Sequence, residues 1–418
     1  CCTNLKKTSW AKHKMENTFI TYEKALSILE AHREEFPEEA RKIGDCIGQY
    51  LAEDLIADRD FPPFDRVTMD GIAINHAAFA RGQREFPIQE VAPAGTPRKT
   101  MQDPGHCIEV MTGAIMPENT DTVIRYEDLE IEDGTVRVLL DSLTPRQNIH
   151  FQGIDLPKDT VIVSRGTCLS SAEINIAASV GKPSLRVRKL PQAVIISTGD
   201  ELVDVGDTPQ LHQIRRSNVY GIQSSLKSWG LRADLNHLPD DREAMEKSIS
   251  NLLESYDDLI FTGGVSKGKF VYLPEVLQSL KIQRHFHKIQ QRPGKPFWFG
   301  SSPEGKKIFA LPGNPVSSFV CVYMYFRFWL DKSLNVKRPP LYVSLKNDTQ
   351  FAPNLVYFLE ARLESSPDGI LQADPVKGNG SGDFANLVKT DGFLILPQDK
   401  SEFKKGEKYL FVPYRAKF

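Results

Sequence analysis

Asp258-Leu259-Ile260-Phe261-Thr262-Gly263-Gly264-Val265-Ser266-Lys267-Gly268 decides the fold of this chain. Leu259, Ile260 and Phe261 form a short apolar run that stops abruptly at Thr262-Gly263-Gly264. A buried parallel strand feeding a turn with unusual backbone angles has this form. Paired glycines let the main chain approach a ligand closely and aim successive N–H groups at an anion. Ser266 and Lys267 add a hydroxyl and a cation. An ordinary strand-to-helix turn is the plain alternative for the stretch taken alone.

Two similar stretches flank it. Ala193-Val194-Ile195-Ile196-Ser197 runs into Thr198-Gly199-Asp200-Glu201-Leu202, and Ile308-Phe309-Ala310-Leu311 runs into Pro312-Gly313-Asn314-Pro315. Helical patterns at 217–229, 242–255, 272–280 and 316–330 alternate with these strands and with Arg232–Leu238. Such alternation predicts an α/β sheet with right-handed crossovers, whose functional loops gather at the carboxyl ends of the strands. Thr198–Leu202, Asp240-Asp241, Thr262–Gly268 and Pro312–Pro315 all fall there. One site explains four such loops better than four accidents.

Outside this segment the pattern changes. Thr21–Ala31 reads as an amphipathic helix, and Ile43–Leu55 as a short strand followed by a second helix. Phe61-Pro62-Pro63-Phe64 excludes a regular element and places Asp70 on a constrained loop, where a surface turn acid is the bland alternative. Cys107–Met111, Asp121–Tyr126 and Val136–Leu140 read as strands of a small β-rich domain, with Thr112-Gly113 ending one of them. Asn148–Asp155 precedes a return to strand-then-helix patterning over 161–179. Asn335–Pro340 reads as a linker, and five candidate strands between 341 and 412 make a C-terminal β-domain. The expected organisation is therefore multidomain α/β plus β. An extension, 1–14, precedes a discontinuous mixed N-terminal domain (15–58 and 143–188) that carries an inserted β-rich domain (59–142). A central α/β domain (189–334) and a C-terminal β-domain (335–418) follow.

Composition narrows the class. Of 418 residues, 40% are hydrophobic and 25% charged, with a formal net charge of −2. That balance suits a globular protein and shows no sign of a nucleic-acid-binding surface. The six cysteines, at 1, 2, 46, 107, 168 and 321, lack metal-ligand spacing, and reduced thiols in a cytoplasmic protein are expected. No run is apolar enough for a membrane span. Residues 1–14 lack the apolar stretch of a signal peptide, and Met15 reads as a native start. There is no Walker A sequence, Gly-x-Gly-x-x-Gly, Gly-x-Ser-x-Gly or zinc-spaced Cys/His cluster.

What remains are two complementary sets of groups. Asp70, Asp155, Glu201, Asp240 and Asp241 supply oxygen ligands of a kind that suits Mg²⁺. Lys267, Lys269, Arg292 and Lys295 supply cations, the last two within Gln291-Arg292-Pro293-Gly294-Lys295-Pro296, where prolines fix their direction. An oxyanion site and a solvated charge run are both readings of that basic segment. Acids beside an anion cradle describe an enzyme acting on a phosphorylated ligand.

The residues also resemble a known family, the MoeA molybdopterin molybdenumtransferases, related to the E domain of gephyrin. The resemblance rests on Phe64–Ala73 around Met69-Asp70-Gly71, Met111-Thr112-Gly113-Ala114, Gln152-Gly153-Ile154-Asp155 and Ser197–Leu202. It continues through Thr262–Ser266, Pro293-Gly294-Lys295-Pro296-Phe297, Leu311–Ser317, Gly380-Ser381 and Leu394–Pro397, spanning Thr18 to Pro413. It implies a cytoplasmic, four-domain homodimer with an α/β domain of the molybdopterin-binding type. The implied reaction takes adenylylated molybdopterin and molybdate, with Mg²⁺, to molybdenum cofactor and AMP. Handover from a molybdopterin adenylyltransferase and onward to molybdoenzymes is implied as well.

By position the resemblance assigns Asp70, Thr112, Asp155, Glu201, Asp240 and Asp241 to the catalytic cleft, with Glu201 and Asp240 on the metal. Thr198, Gly199, Gly263, Gly264, Val265, Ser266, Pro312, Gly313, Asn314 and Ser317 would hold the pterin and its phosphates. Arg292, Lys295, Arg362 and Ser381 would gather molybdate, a task for which arginine's planar fork is suited. One departure stands out: Val271 occupies a place where the family usually carries aspartate, and Lys269 another where an acid is common. A molybdopterin adenylyltransferase shares only the α/β domain, and a catalytically impaired molybdopterin-binding scaffold is the alternative that Val271 favours.

Overall fold

The computed structural model describes residues 19–265 and 272–415. Ser266, Lys267, Lys269 and Val271 therefore lie outside the described residues. The chain divides into two compact units, one of 40–47 and 51–186, the other of 48–50, 187 onward and the segment before 40.

The first unit is built on a six-stranded sheet. Its strands are β1 (Gly71–Ile74), β2 (Glu85–Ala92), β3 (Cys107–Val110), β4 (Thr122–Arg125), β5 (Leu129–Glu132) and β6 (Thr135–Val138), in the order β4-β1-β3-β2-β6-β5. Both faces are covered. Ala73, Ile108 and Val123 belong to one apolar cluster, and Ile72, Ile74 and Ile124 to another. Period-two alternation sends neighbouring side chains to opposite faces, so three successive apolar residues in β1, Ile72, Ala73 and Ile74, require two cores. Gly71 sits where a Cβ would collide with the Ile124 carbonyl across the ladder. The helix expected within 43–55 is absent: Glu38–Lys42 is a strand, Ile43–Asp45 a single 3₁₀ turn and Leu55–Ile56 a two-residue strand. Gly48, at φ +74°, turns the chain where that helix would continue.

The second unit holds the α/β sheet. Its strands are β7 (Gln192–Thr198), β8 (Arg232–Leu238), β9 (Asp258–Thr262), β10 (Gln283–His287), β11 (Trp298–Ser301) and β12 (Lys307–Leu311), in the order β8-β7-β9-β12-β11-β10. The first four run parallel, while β10 and β11 extend the sheet antiparallel. Helices α1 (Tyr22–Ala31), α2 (Ser217–Ser228), α3 (Arg242–Ser255), α4 (Leu273–Ser279) and α5 (Pro315–Cys321) pack on it. Ile195, Ile260, Phe309 and Leu311 face α1, α2 and α5, whereas Val194, Ile196, Phe261 and Ala310 face α3 and α4. Sheets covered on both sides need such unbroken apolar strands. Truncating buried Phe309 to alanine would cost about 3–5 kcal/mol. Beyond Cys321 the helix continues through a π turn (Val322–Phe326) into Arg327–Ser333.

A C-terminal sheet of β13 (Tyr342–Leu345), β14 (Val356–Ser365), β15 (Leu371–Pro375), β16 (Gly392–Leu396) and β17 (Lys408–Pro413) closes on itself, because β14 pairs with β16 as well as with β15. Gln291-Arg292 adds to its edge, parallel to Val356-Tyr357. The basic segment is thereby stitched to this β-domain.

Candidate functional site

Three adjacent parallel strands end in interlocked turns. Gly263 and Gly264 have φ of +101° and +68°, and a Cβ on either would stand 3.0 or 3.1 Å from Thr198 Oγ1. A Cβ on Gly313 would lie 3.6 Å from the Gly263 Cα. The Gly263 N–H donates to the Leu311 carbonyl at 3.1 Å. Glycine at 263 and 264 lets the ends of β7 and β9 approach this closely, while the contact at Gly313 is an ordinary one. Buried Thr198 Oγ1 has no hydrogen-bond partner among the described residues, so the floor of the site carries an unsatisfied hydroxyl.

A cavity of about 520 Å³ opens over these turns. Thr198, Gly199, Glu201, Asp240, Gly263 and Gly264 line it, as do Pro312, Gly313 and Asn314. Sequence reasoning missed its far wall, Arg215, Arg216, Ser217 and Asn218, where α2 begins. The Asn218 side chain donates to the Gly313 carbonyl at 2.7 Å and pins that helix start to the β12 turn. Free N–H groups and the positive end of the dipole make such a start attractive to phosphate. The available signal was a polar cluster, Arg215–Asn218, just before a helix-periodic segment.

Acidic charge is concentrated in one corner. Burial, then the negative charges of Asp200 and Glu201, raise the Asp240 carboxyl above its ordinary range. The Asp240 N–H also donates to Asp200 Oδ1 at 3.1 Å. Asp241 has a different place: it caps α3, accepting from the Ala244 N–H at 2.8 Å. Among the described residues no three His, Cys, Asp or Glu side chains stand together as a ready metal site.

A second cavity of about 360 Å³ adjoins the first, sharing Pro296, Pro312 and Asn314. Arg292, Lys295, Ser317 and Ser381 line it. The Lys295 ammonium lies 4.5 Å from the centre of the Phe19 ring, and the Arg292 guanidinium 6.0 Å from that of Phe351. Glu360, which sequence reasoning passed over, stands in this basic cavity. Burial, the largest influence, raises its carboxyl, with Asp383 adding to the rise, while Asn386 donates to Oε2 at 2.7 Å.

The remaining candidates are elsewhere. Arg362, two residues beyond Glu360 on β14, pairs with Glu364 at 2.7 Å and Asp374 at 3.2 Å and does not line the cavity. Val265 is buried in the sheet's core, its carbonyl 3.3 Å from His287 Nε2. Asp70, Thr112 and Asp155 belong to the other unit. There Asp70 Oδ1 accepts from the Thr112 N–H at 2.6 Å, a bond that holds the carboxyl below its usual range. Asp155 Oδ1 lies 2.8 Å from His150 Nε2, and Arg66 lies 3.3 Å from His150 Nδ1. Cys46, Cys107 and Cys321 are buried free thiols, and no helix among the described residues is long and apolar enough to cross a membrane.

Comparison with known proteins finds relatives along most of the chain. Residues 20–181 match the MoeA N-terminal region (domains I and II), 194–332 a probable molybdopterin binding domain, and 342–414 the MoeA C-terminal region (domain IV). The chain is 40% identical to a molybdopterin molybdenumtransferase of Synechocystis sp., over 94% of this chain and 100% of that one. It is 30% identical to one from Haemophilus influenzae, over 88% of this chain and 92% of the relative. Its fold matches the crystal structure of a molybdopterin biosynthesis MoeA protein from Pyrococcus horikoshii, with TM-score 0.81 and 26% identity, over 95% of this chain and all of that one.

Proposed function

The chain belongs to the MoeA family of molybdopterin molybdenumtransferases, enzymes of molybdenum cofactor biosynthesis, and we propose that its two adjoining cavities divide the substrates between them. The larger takes adenylylated molybdopterin and the smaller takes molybdate. The observation that carries this reading is the shared wall of Pro296, Pro312 and Asn314 between an acid-and-glycine cavity and a basic one. Substrates held on either side of that wall meet with little motion, which removes much of the entropic barrier to their reaction.

The N–H groups of Gly264 and Gly313 and the start of α2 would bind the pterin phosphates. Glu201 and Asp240 fit a Mg²⁺ ion, because two carboxylates beside a phosphate cradle match its preference for few protein ligands completed by substrate oxygens. When bound, the ion would neutralise charge on the phosphoanhydride. Arg292, Lys295 and Ser381 would orient molybdate, Arg292 through paired N–H donors and Lys295 as a point charge. The two cations offset the repulsion between a dianion and a phosphorylated ligand. Release of AMP, a homodimer whose cleft is completed by Asp70, Thr112 and Asp155, a cytoplasmic location and handover to molybdoenzymes all belong to this proposal.

The test is Lys295→Ala. Molybdate-dependent AMP release should be abolished while the sedimentation of the protein is unchanged. Unaltered release would remove Lys295 from the reaction.

A further inference from the structure

The smaller cavity's two cations stand on one four-residue turn, Arg292-Pro293-Gly294-Lys295, and a buried side chain lies directly beneath it. Gln291 is 1% exposed. Its Nε2 donates to the Pro293 carbonyl at 3.1 Å, and its Oε1 accepts the hydroxyl of Tyr325, which is 0% exposed. The Ile289 N–H donates to the Lys295 carbonyl at 2.9 Å and closes the turn. Cys321 Sγ lies 3.7 Å from the Gly294 carbonyl. A Cβ on Gly294, at φ +87°, would stand 2.7 Å from both Cys321 Sγ and Gln291 Nε2, so the turn rests on this amide with no intervening space.

Tyr325 is itself fixed. It lies in the π turn of Val322–Phe326, and its ring stacks on Phe297 with centres 4.8 Å apart. On the other side, Gln291-Arg292 is paired to β14. The turn is thus held between a helix of the α/β domain and the C-terminal sheet. An apolar side chain of similar size would fill the same volume without the desolvation cost of a buried amide. A primary amide is needed only if its donor and acceptor are both used.

We propose that Gln291 and Tyr325 are positioning residues that set molybdate affinity by fixing the separation of Arg292 and Lys295. This rests on the assignment of those two cations to molybdate. Gln291 lines the cavity at only 1% exposure, and both residues act through the Pro293 carbonyl and the turn that carries it.

Gln291→Met keeps length and volume and removes the amide's hydrogen bonds to Pro293, Cys321 and Tyr325, and Tyr325→Phe removes the hydroxyl alone. Steady-state AMP release should show the KM for molybdate raised about tenfold in Gln291→Met and less in Tyr325→Phe. The KM for adenylylated molybdopterin and the kcat at saturating molybdate should stay within about twofold of wild type, which general loss of structure would not allow. The double variant should be no worse than Gln291→Met, because the two groups form one network. Should Gln291→Met not fold, the KM split in Tyr325→Phe decides. An unchanged molybdate KM, or equal rises for both substrates, overturns the proposal. Lys295→Ala separates the two levels: if it abolishes activity while the clamp variants are silent, only the clamp fails. If it is silent too, the molybdate assignment fails first.

Discussion

The Asn314 side-chain amide donates to Ser381 Oγ at 2.7 Å, and the Val316 N–H donates to the Ser381 carbonyl at 3.1 Å. A turn of the α/β sheet and a loop of the C-terminal domain are thereby tied at the wall between the cavities. Ser381→Ala removes both a cavity hydroxyl and the acceptor for Asn314. The loss of one such bond, about 1 kcal/mol, should raise the KM for molybdate about fivefold. The affinity for molybdopterin, measured by its quenching of protein fluorescence, should change little.

Adjacent aspartates should behave oppositely. Asp241 accepts a capping bond from α3, so Asp241→Ala should lower stability by about 0.5–2 kcal/mol, seen in urea titration, and leave kcat near wild type. Asp240 has its carboxyl raised by burial and by Asp200 and Glu201. A raised acid holds more protons folded than unfolded, so stability falls as pH rises through its ionisation. Asp240→Asn should therefore be at least as stable as wild type at neutral pH and yet lose Mg²⁺-dependent turnover. Loss of activity in Asp241→Ala with full activity in Asp240→Asn would reverse these roles.

Glu360 should make oxyanion binding in the smaller cavity sensitive to pH. Its carboxyl is raised by burial, and ionisation places a negative charge in the cavity of Arg292 and Lys295. Molybdate binding should weaken as pH rises through that ionisation. Glu360→Gln keeps the side chain neutral and should bind molybdate more tightly on the alkaline side, with a flatter pH profile by calorimetry. Equal pH profiles for the two proteins would show that Glu360 does not face the anion.

Gly263→Ala tests the pterin side. At φ +101°, with Thr198 Oγ1 only 3.0 Å from the added Cβ, the substitution should cost about 1–2 kcal/mol from backbone conformation alone. Molybdopterin binding should fall with it, because the turn's N–H groups are displaced. An alanine variant that binds molybdopterin like wild type would count against the cradle.

The legible parts of the chain were those where one physical requirement dominates. Strands β7, β9 and β12 are unbroken apolar runs because both faces are covered, and the glycines after them mark the turns. Strands β10 and β11 were not anticipated. Arg284, His285 and His287 interrupt the apolar pattern of β10, whose buried member is Phe286. Thr198, Glu201, Asp240, Lys295 and Ser381 were singled out by motif position, and they line the two cavities. Arg362 and Glu360 show the limit: two residues along β14 move a side chain about 7 Å, and neighbouring acids, invisible to local pattern, hold Arg362 away. Gln291 read only as a neighbour of the basic pair, because burial under a turn depends on the distant Tyr325. Val271, where the family usually has aspartate, falls outside the described residues.

Coupling of molybdate to the discharge of adenylylated molybdopterin is tested most directly by stoichiometry. The purified protein should be given adenylylated molybdopterin and Mg²⁺, with and without molybdate, and AMP measured alongside molybdenum bound to the pterin. AMP release should depend on molybdate and match the molybdenum incorporated, mole for mole. Tight retention of the adenylylated ligand, with neither AMP nor bound molybdenum appearing, would contradict it and leave a molybdopterin-binding protein without transferase activity.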